Sequence, residues 1–427
     1  MKRVRLGDVA DVMISGIDKK TKEGEKAVKL CNFVDVYYNW AITKNMYDGL
    51  MLASASDNDI ELFSLRKGQV AITKDSETRD DIGVAAYIAD DFDDVVLGYH
   101  CALITPKNDI PEDDRINGKY LNALLHTKYA QKHFSNNATG SGQRYTLSKE
   151  AVEDMILYLP SPKEQERIGN YLSEIDHKIE LNYLINEKLE DLAKQIYDYW
   201  FVQFDFPNEE GKPYKSSGGK MVWNDIIKRP IPEGWSIKTI GDFAEIKSGY
   251  PFKSELMSDY GKYKIVTIRN VQNNYLDIKN LSYTDTLPDN LKEHCKLEIG
   301  DMLISLTGNV GRVCTVYING LLLNQRVGII KPKIDHKQWL SYIFRDTTVR
   351  SRIENWAGGC AQANVSPLDI EKLQIIKPTD DLLSKFEKYT VSNTLSIIKL
   401  NESNLLLSQL REFLLPLLMN GQITIKD

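Results

Sequence analysis

The 427-residue sequence lacks most signatures of catalysis. It has no Pro-Pro pair, so the Asn/Asp/Ser-Pro-Pro-aromatic loop of DNA aminomethyltransferases is missing. Tyr214 stands where a P-loop ending in Gly218-Gly219-Lys220 would need its first glycine. HExxH, GxSxG and EF-hand patterns are also missing, and no convincing strand carries a nuclease-type Glu-x-Lys. We therefore expect no catalytic residue, metal site or cofactor in this chain.

Cysteine is scarce, and long apolar runs are lacking. The five cysteines form no CxxC pair, and their odd number argues against a disulfide framework. No window reaches about 18 uninterrupted apolar residues, so we expect no membrane span. The start, MKRVRLGDVADV, has no apolar run behind its basic residues, so we expect no signal peptide and a cytoplasmic location.

The charge is unevenly distributed along the chain. The net charge of −6 does not by itself indicate that the protein binds nucleic acid. Residues 235–378 carry 19 Lys/Arg and 15 Asp/Glu, net +4, whereas residues 1–160 carry 20 and 25, net −5. Phosphate binding requires a basic surface rather than a basic chain, so part of any phosphate contact is expected to come from a partner.

An internal duplication is the most informative feature that is present. Four segments of the first half return in order in the second half, at offsets that fall from 234 to 218 residues. So long a period indicates a duplicated domain, because solenoid repeats span about 20 to 50 residues. The matched segments are 4–12 with 238–246, 65–73 with 297–305, 98–106 with 324–332, and 140–148 with 358–366.

Each copy predicts a mixed domain of the α+β class. Apolar runs next to turn signals predict strands at 68–73, 95–104, 300–305 and 327–330. Residues 120–134 and 339–356 predict helices. The predicted divisions are a first globular domain at 1–160, a first long helix at 161–203, a Gly-, Lys- and Ser-rich connector at 204–234, a second domain at 235–378, a second long helix at 379–420 and a tail at 421–427.

Both long helices carry a coiled-coil seam. Pro162 and Pro378 stand where helices tolerate proline, and apolar residues then recur in alternating steps of four and three. Asn186 and Asn404 lie either on a solvated flank or inside the seam, where they would fix the pairing register. The candidate helix-pair and partner interface comprises Ile168, Leu172, Ile175, Ile179, Asn182, Asn186, Leu189, Ile196, Trp200, Ile397, Leu400, Asn404, Leu407 and Leu414.

Glycine-rich polar loops are the candidates for a binding surface. Glycine lets a backbone approach phosphate closely, and Arg, Asn and Gln are bidentate readers of base edges. A plain tight turn explains any single loop, but the duplicated set favours DNA contact. The candidate DNA-binding residues are Lys74, Arg79, Gln143, Arg144, Tyr145, Ser248, Tyr250, Phe252, Lys253, Arg269, Asn270, Thr307, Asn309, Arg312, Gln362 and Asn364.

These segments resemble Type I restriction–modification specificity subunits over essentially the whole chain. The most specific match is Pro162-Lys163-Glu164-Gln165-Glu166-Arg167-Ile168; the second helix departs from it with Asp380-Asp381-Leu382-Leu383. Further matches are Trp200-Phe201-Val202, Asp205-Phe206-Pro207, GKPYKSSGGKMVW at 211–223, Pro232-Glu233-Gly234-Trp235, Ile240-Gly241-Asp242 and Ser248-Gly249-Tyr250-Pro251-Phe252-Lys253.

The resemblance implies two target-recognition domains separated by a pair of long antiparallel coiled-coil helices. Each domain would read one half of a bipartite site in double-stranded DNA, and the helices would set the spacer. The implied partners are two modification subunits, which bind S-adenosylmethionine and transfer the methyl group, and restriction subunits that use ATP and Mg²⁺. The chain itself would have no catalysis.

Two other classes of function remain open at this point. A fused or orphan methyltransferase is opposed by the missing Pro-Pro motif. A coiled-coil scaffold without DNA binding explains the helices but leaves the two elaborate domains unexplained.

Overall fold

A computed structural model describes residues 1–142, 144–357 and 363–425. The chain forms two compact units. The first unit comprises Met1–Glu180 together with the chain from Leu406, and the second comprises Leu181–Leu405. Each unit therefore contains one globular domain and a portion of both long helices. The predicted candidates Gln143 and Gln362, and also Cys360, lie outside the described residues.

The first unit is built around a five-stranded sheet. Val70–Thr73 lies at its centre, between Cys101–Pro106 and Ala85–Ile88, and all four of its residues are buried. Val70 and Ile72 pack into one apolar cluster and Ala71 into another, because successive side chains of a strand point to opposite faces. A strand covered on both faces reads as a continuous apolar run, which is how the sequence predicted it.

The described part of the first unit contains ten further strands and six shorter α-helices. The strands are Lys2–Arg5, Ala10–Ile14, Lys26–Cys31, Ala41–Ile42, Met51–Ala55, Asp75–Ser76, Val95–Leu97, Thr139–Ser141, Arg144–Thr146 and Ile156–Leu159. The α-helices before the first long helix are Leu6–Val9, Phe33–Tyr38, Asp57–Phe63, Gly118–Leu125, Lys128–Asn137 and Lys149–Glu153.

The second unit has two four-stranded sheets. One has the order Ala244–Ser248, Val327–Pro332, Met302–Ser305, Val313–Thr315, and the other has the order Ser282–Thr284, Tyr263–Val266, Leu321–Leu323, Lys296–Leu297. Two-stranded pairs join Ser236–Thr239 with Gln374–Lys377 and Met221–Asn224 with Arg229–Pro232. Its shorter α-helices are Lys337–Arg345, Thr347–Ala357 and Pro367–Glu371.

The duplication predicted from the sequence is confirmed in strand register. Ala10 pairs with Pro106 in the first unit, and Ala244 pairs with Pro332 in the second. Both second-unit residues follow from the first by the offsets found in the sequence, 234 and 226. The edge pair repeats in the same way, since Lys2 faces Leu159 and Ser236 faces Lys377. The copies therefore share a hydrogen-bonded frame.

Three predicted elements are interrupted. The strand predicted at 95–104 is two strands, Val95–Leu97 and Cys101–Pro106, separated by a turn at 98–100. The helix predicted at 120–134 breaks at Thr127, whose side chain accepts a hydrogen bond from the Ala130 amide. The helix predicted at 339–356 breaks at Asp346, which accepts from the next helix's first amides. A side chain that caps a new helix competes with continuation of the old one.

The two long helices run from Pro162 to Tyr197, followed by a π-helical turn at Asp198–Val202, and from Asp380 to Met419. In the first unit, Ile168 and Leu172 share a buried cluster with Leu418. In the second unit, the partners of successive first-helix residues have falling numbers, so the helices run antiparallel there. This agrees with the fold class that the resemblance implied.

Candidate nucleic-acid interface

A buried carboxylate organises the polar edge of the first domain. Asp75 continues the central strand, and its side chain is only 8% exposed. Its Oδ2 atom lies 2.9 Å from Lys74 Nζ, 2.8 Å from His100 Nδ1 and 3.2 Å from Arg144 Nη2. Burial alone would raise the pKa of Asp75, but hydrogen bonds from Thr146, His100 and Lys74 outweigh it and hold the pKa below its ordinary value. Asp75 is therefore an ionised acceptor shared by Lys74, His100, Arg144 and Thr146.

An aromatic ring completes this edge. Tyr99 is 42% exposed, and its ring lies 5.8 Å from the Arg144 guanidinium and 4.7 Å from Lys74 Nζ. The Arg144 side chain remains 56% exposed, although Asp75 and Tyr99 hold it. A guanidinium fixed on one side and open on the other can donate to a phosphate or a base edge without first being ordered.

Two further first-domain candidates have local partners. Arg79 donates to the carbonyl of Ala138 at 3.2 Å and lies 6.0 Å from the Tyr145 ring. Arg79 is exposed and Tyr145 half-buried, so both are accessible at this edge. Lys74 is different, because its side chain is only 9% exposed and its charge is paired with Asp75. In this structure Lys74 is an internal partner rather than a surface cation.

Arg312 of the second domain is held differently from Arg144 of the first. Arg312 Nη1 donates to Gln272 Oε1 at 2.6 Å, and Gln272 Nε2 donates in turn to the carbonyl of Arg269. The Nε atom of Arg312 is buried without a hydrogen-bond partner in the described part of the chain. Arg312 is half-buried and supports the loop at 267–277, whereas Arg269 and the neighbouring Asn309 are exposed.

Asn270 was predicted to bind DNA, and the structure corrects this interpretation. It is fully buried. Its Oδ1 accepts from the Thr267 amide, and its Nδ2 donates to the carbonyls of Asp277 and Asn280. Every polar atom of the side chain is used within the loop, so Asn270 shapes the loop and is closed to a ligand.

The other second-domain candidates lie in two places. Thr307 is buried and donates to Asn364 Oδ1 at 2.9 Å, while Asn364 is exposed. Ser248 and Lys253 are exposed, and Tyr250 and Phe252 between them are half-buried and pack edge to face. Gly249 makes that turn possible, because a Cβ atom there would lie 2.3 Å from the carbonyl oxygen of Leu323.

The predicted helix seam is largely buried. Ile168, Leu172, Ile175, Ile179, Asn182, Asn186, Trp200 and Asn404 are buried, and Leu189, Ile196, Ile397, Leu400, Leu407 and Leu414 are half-buried. Asn182 donates to Asn404 at 2.7 Å, and Asn186 donates to Asn401 at 3.0 Å. Of the two interpretations open from sequence, the structure therefore supports buried asparagines over a solvated flank, an arrangement that favours one pairing register.

A different contact joins the helices in the first unit. Asp176 and Arg411 form an ion pair at 3.0 Å, and the Arg411 guanidinium lies 4.6 Å from the Trp40 ring. Burial raises the pKa of Asp176 to about 6, although Arg411 acts in the opposite direction. Trp40 also stacks on His126. The domain and both helices of this unit thus meet at one charged contact.

Sequence reasoning missed Asp75, Tyr99 and His100 as one cluster. Asp75 stands two residues after the strand predicted at 68–73, and Tyr99 and His100 lie near the start of the repeated segment 98–106. The position of these residues in the repeat could have marked them as candidates. Their convergence into one cluster could not be predicted, because it depends on the strand pairing. Among the described residues, no group of three or more His, Cys, Asp or Glu side chains could hold a metal ion. No described helix is long and apolar enough to cross a membrane.

The chain is similar to known proteins over most of its length. The Type I restriction modification DNA specificity domain matches residues 1–191 and 232–395. The MjaIX specificity subunit of Methanocaldococcus jannaschii is 25% identical over 329 residues, covering 75% of this chain and 72% of the relative. The HindI specificity subunit of Haemophilus influenzae is 22% identical over 412 residues, covering 84% and 87%.

A solved structure supports the fold. The S subunit of a Type I restriction-modification system from M. genitalium has a TM-score of 0.54 at 14% identity, covering 98% of this chain and 95% of that one. At this identity the likeness concerns the fold alone. The two matched segments contain the two domains related by the internal duplication, together with parts of the long helices. The chain therefore belongs to the family of Type I restriction modification DNA specificity domains.

Proposed function

We propose that this chain is the DNA-recognition subunit of a Type I restriction–modification complex, and that each domain reads one half of a bipartite duplex site. The observation that carries the proposal is one backbone frame that presents different polar side chains in its two copies. A constant frame with variable side chains suits two readers of different sequences. Arg144 in the first domain supplies a donor of the kind that binds DNA. In the second domain such donors come from Arg269, in the loop at 267–277, and from Arg312, which supports that loop.

The long helices would dock the modification subunits. Apolar helix residues remain exposed in both units: Leu181, Ile185, Leu192 and Leu395 in the second, and Leu406, Leu410 and Phe413 in the first. Phe413 is 66% exposed. Exposed apolar side chains grouped on one element are typical of an interaction surface. In this proposal S-adenosylmethionine binds to the modification subunits and ATP with Mg²⁺ to restriction subunits, while this chain supplies recognition alone.

A reducing cytoplasm is the proposed location. The four described cysteines are free and buried. Free thiols and a duplex DNA target both fit that compartment.

The test is methylation by the assembled complex. The chain would be co-expressed with its modification partner and incubated with S-adenosylmethionine and a pool of randomised duplexes, and the methylated duplexes would be sequenced. We expect one bipartite motif with two different halves. Methylation without sequence enrichment would contradict the recognition role. Methyl transfer by this chain alone would favour the methyltransferase alternative instead.

Spacer setting by the helices has a separate test. Asn186 pairs with Asn401, so a heptad inserted after Asn186 keeps the seam in register only if a second heptad is inserted after Leu400. Each heptad adds about 10 Å, which corresponds to about three base pairs. We expect methylation of the original spacer to be lost, with a longer spacer preferred. Undiminished methylation of the original site would contradict the helices' role as a spacer.

A further inference from the structure

The two domains can be aligned residue by residue at their polar edges. In each copy, two backbone hydrogen bonds join the residue that follows the central strand to its neighbours. They are, from donor amide to acceptor carbonyl, Lys74 to His100 at 2.9 Å and Leu147 to Lys74 at 2.8 Å in the first domain, and Leu306 to Arg326 at 3.0 Å and Val365 to Leu306 at 3.0 Å in the second. Arg326 therefore occupies the position of His100, and Gln325 that of Tyr99.

Antiparallel pairing beyond the central strand joins equivalent positions in both copies. Asp75 pairs with Thr146 in the first domain, and Thr307 forms a bridge with Asn364 in the second. Position 75 thus corresponds to position 307. The frame of this edge is the same in the two domains, while its side chains are entirely different. That combination distinguishes a position that reads sequence from one that holds a phosphate, because phosphates are the same in every half-site.

The chemistry of the second edge differs from that of the first. In the first domain Asp75 holds both His100 and Arg144. In the second domain Thr307 stands in the place of Asp75 and donates to Asn364 Oδ1, so this position carries no carboxylate. Gln325 and Arg326 are both exposed. The Arg326 side chain forms no hydrogen bond or ion pair with another residue in the described ranges, and its domain is the basic one.

We infer that this edge carries the base-reading side chains of both domains, and that Arg326 reads a guanine in the half-site of the second domain. The inference rests on the proposed function and deepens it. A guanidinium presents two parallel donors that match the O6 and N7 acceptors of guanine in the major groove. The exposed Gln325 amide and the exposed Asn364 place further base-edge donors and acceptors beside it. Tyr99, His100 and Arg144 form the corresponding reader in the first domain.

The test compares Arg326→Ala and Arg326→Lys with the wild-type chain, each assembled with the modification partner and challenged with a pool of randomised duplexes. Arg326→Ala should lose about 10- to 100-fold of its preference for guanine at one position of one half-site. Arg326→Lys keeps the charge but loses the two-donor geometry, so its salt dependence should stay unchanged while the same preference falls. The other half-site should be unchanged and serves as an internal control for folding.

Arg352→Ala is the matched control. Arg352 belongs to the same domain and is exposed, but its guanidinium donates to the carbonyl of Gln374, away from the edge. This variant removes the same charge and should keep both half-sites. The reciprocal variant His100→Ala should alter only the half-site that Arg326→Ala leaves intact.

The outcomes separate the inference from the proposed function. If wild-type complex enriches no motif, the proposed function fails. If it enriches a bipartite motif and Arg326→Ala retains both halves unchanged, the edge is not the reader and the inference is overturned. Uniform weakening for all sequences, with the salt slope lowered by about one, would identify a phosphate contact and also overturn it.

Discussion

The two domains hold their arginines in different ways. In the first, Arg144 is exposed and rests on the buried carboxylate of Asp75. In the second, Arg312 is half-buried and donates to the neutral amide of Gln272. A carboxylate fixes a guanidinium strongly and cancels part of its charge, whereas an amide fixes it weakly and leaves the charge intact. The first arrangement therefore favours defined geometry, and the second favours attraction to phosphate.

The net charges of the domains agree with this difference. Residues 1–160 have a net charge of −5 and residues 235–378 a net charge of +4. An acidic domain gains little long-range attraction to DNA, so its contribution must come from short-range contacts or from a basic partner. Duplication has thus preserved the backbone hydrogen bonds while the electrostatics of the two copies have diverged.

Exchanging a whole domain should have the largest effect on which DNA sequence is recognised. Replacement of residues 1–158 by the matching segment of a relative should replace one half-site completely and leave the other intact, because each domain has its own frame and its own edge. The measurement is sequencing of methylated sites. Restoring residues 1–158 is the control, and a simultaneous change of both half-sites would contradict independent reading.

The helix contacts of the two units should differ in their response to pH. Burial raises the folded pKa of Asp176 to about 6, above an unfolded value of about 3.9. The folded state then binds the proton more tightly, so stability should decrease as pH rises between about 4 and 6, by on the order of 3 kcal/mol. The corresponding contact in the second unit, Asn182 with Asn404, does not titrate.

Asp176→Asn tests this difference. The variant should remove the decrease between about pH 4 and 6 when the free energy of unfolding is measured by urea titration at several pH values. Asn182→Ala is the control, because it disturbs the helix pair without removing a titrating group. An unchanged pH profile in Asp176→Asn would assign the decrease to other residues.

The edge of the first domain should have the opposite pH dependence. The pKa of Asp75 is lowered on folding, so its stabilising contribution is complete at neutral pH and is lost as pH falls below about 3.9 toward the folded value. Asp75→Asn leaves the buried Lys74 without its counter-charge and should cost about 1–3 kcal/mol at pH 7, less in acid. Urea unfolding at pH 7 and in acid measures this loss of stability.

Thr307→Val is the matched variant in the second domain. It removes the side-chain hydrogen bond to Asn364 and should cost about 1 kcal/mol at every pH, since neither partner titrates. If Asp75→Asn and Thr307→Val lowered the free energy of unfolding equally and with the same pH profile, the two edges would be electrostatically alike. That result would contradict the difference between a charged and a neutral edge.

Much of the frame could be predicted from the sequence, and most of the edge could not. The buried strand at Val70–Thr73 was predictable because a strand covered on both faces is a continuous apolar run. The breaks at Thr127 and Asp346 were missed, because capping side chains interrupted otherwise apolar patterns. The meeting of Asp75 with His100 and Arg144 joins residues up to 69 positions apart, so it follows from strand pairing and not from local sequence.

The smallest expected effect distinguishes the two arginines in DNA binding. Arg144→Ala removes an exposed donor from a fixed platform, so it should relax one position of the first half-site by about tenfold and leave the second half-site unchanged. Arg312→Ala removes the support of the loop at 267–277, so it should lower stability by about 1 kcal/mol and weaken binding of all sequences alike. Both variants lose one positive charge, which makes each the control for the other. Competition binding at several salt concentrations, with duplexes altered one base pair at a time, measures both effects. Relaxed discrimination in Arg312→Ala together with uniform weakening in Arg144→Ala would reverse the two roles, and with them the contrast between an arginine fixed for geometry in the first domain and an arginine that supports a loop in the second.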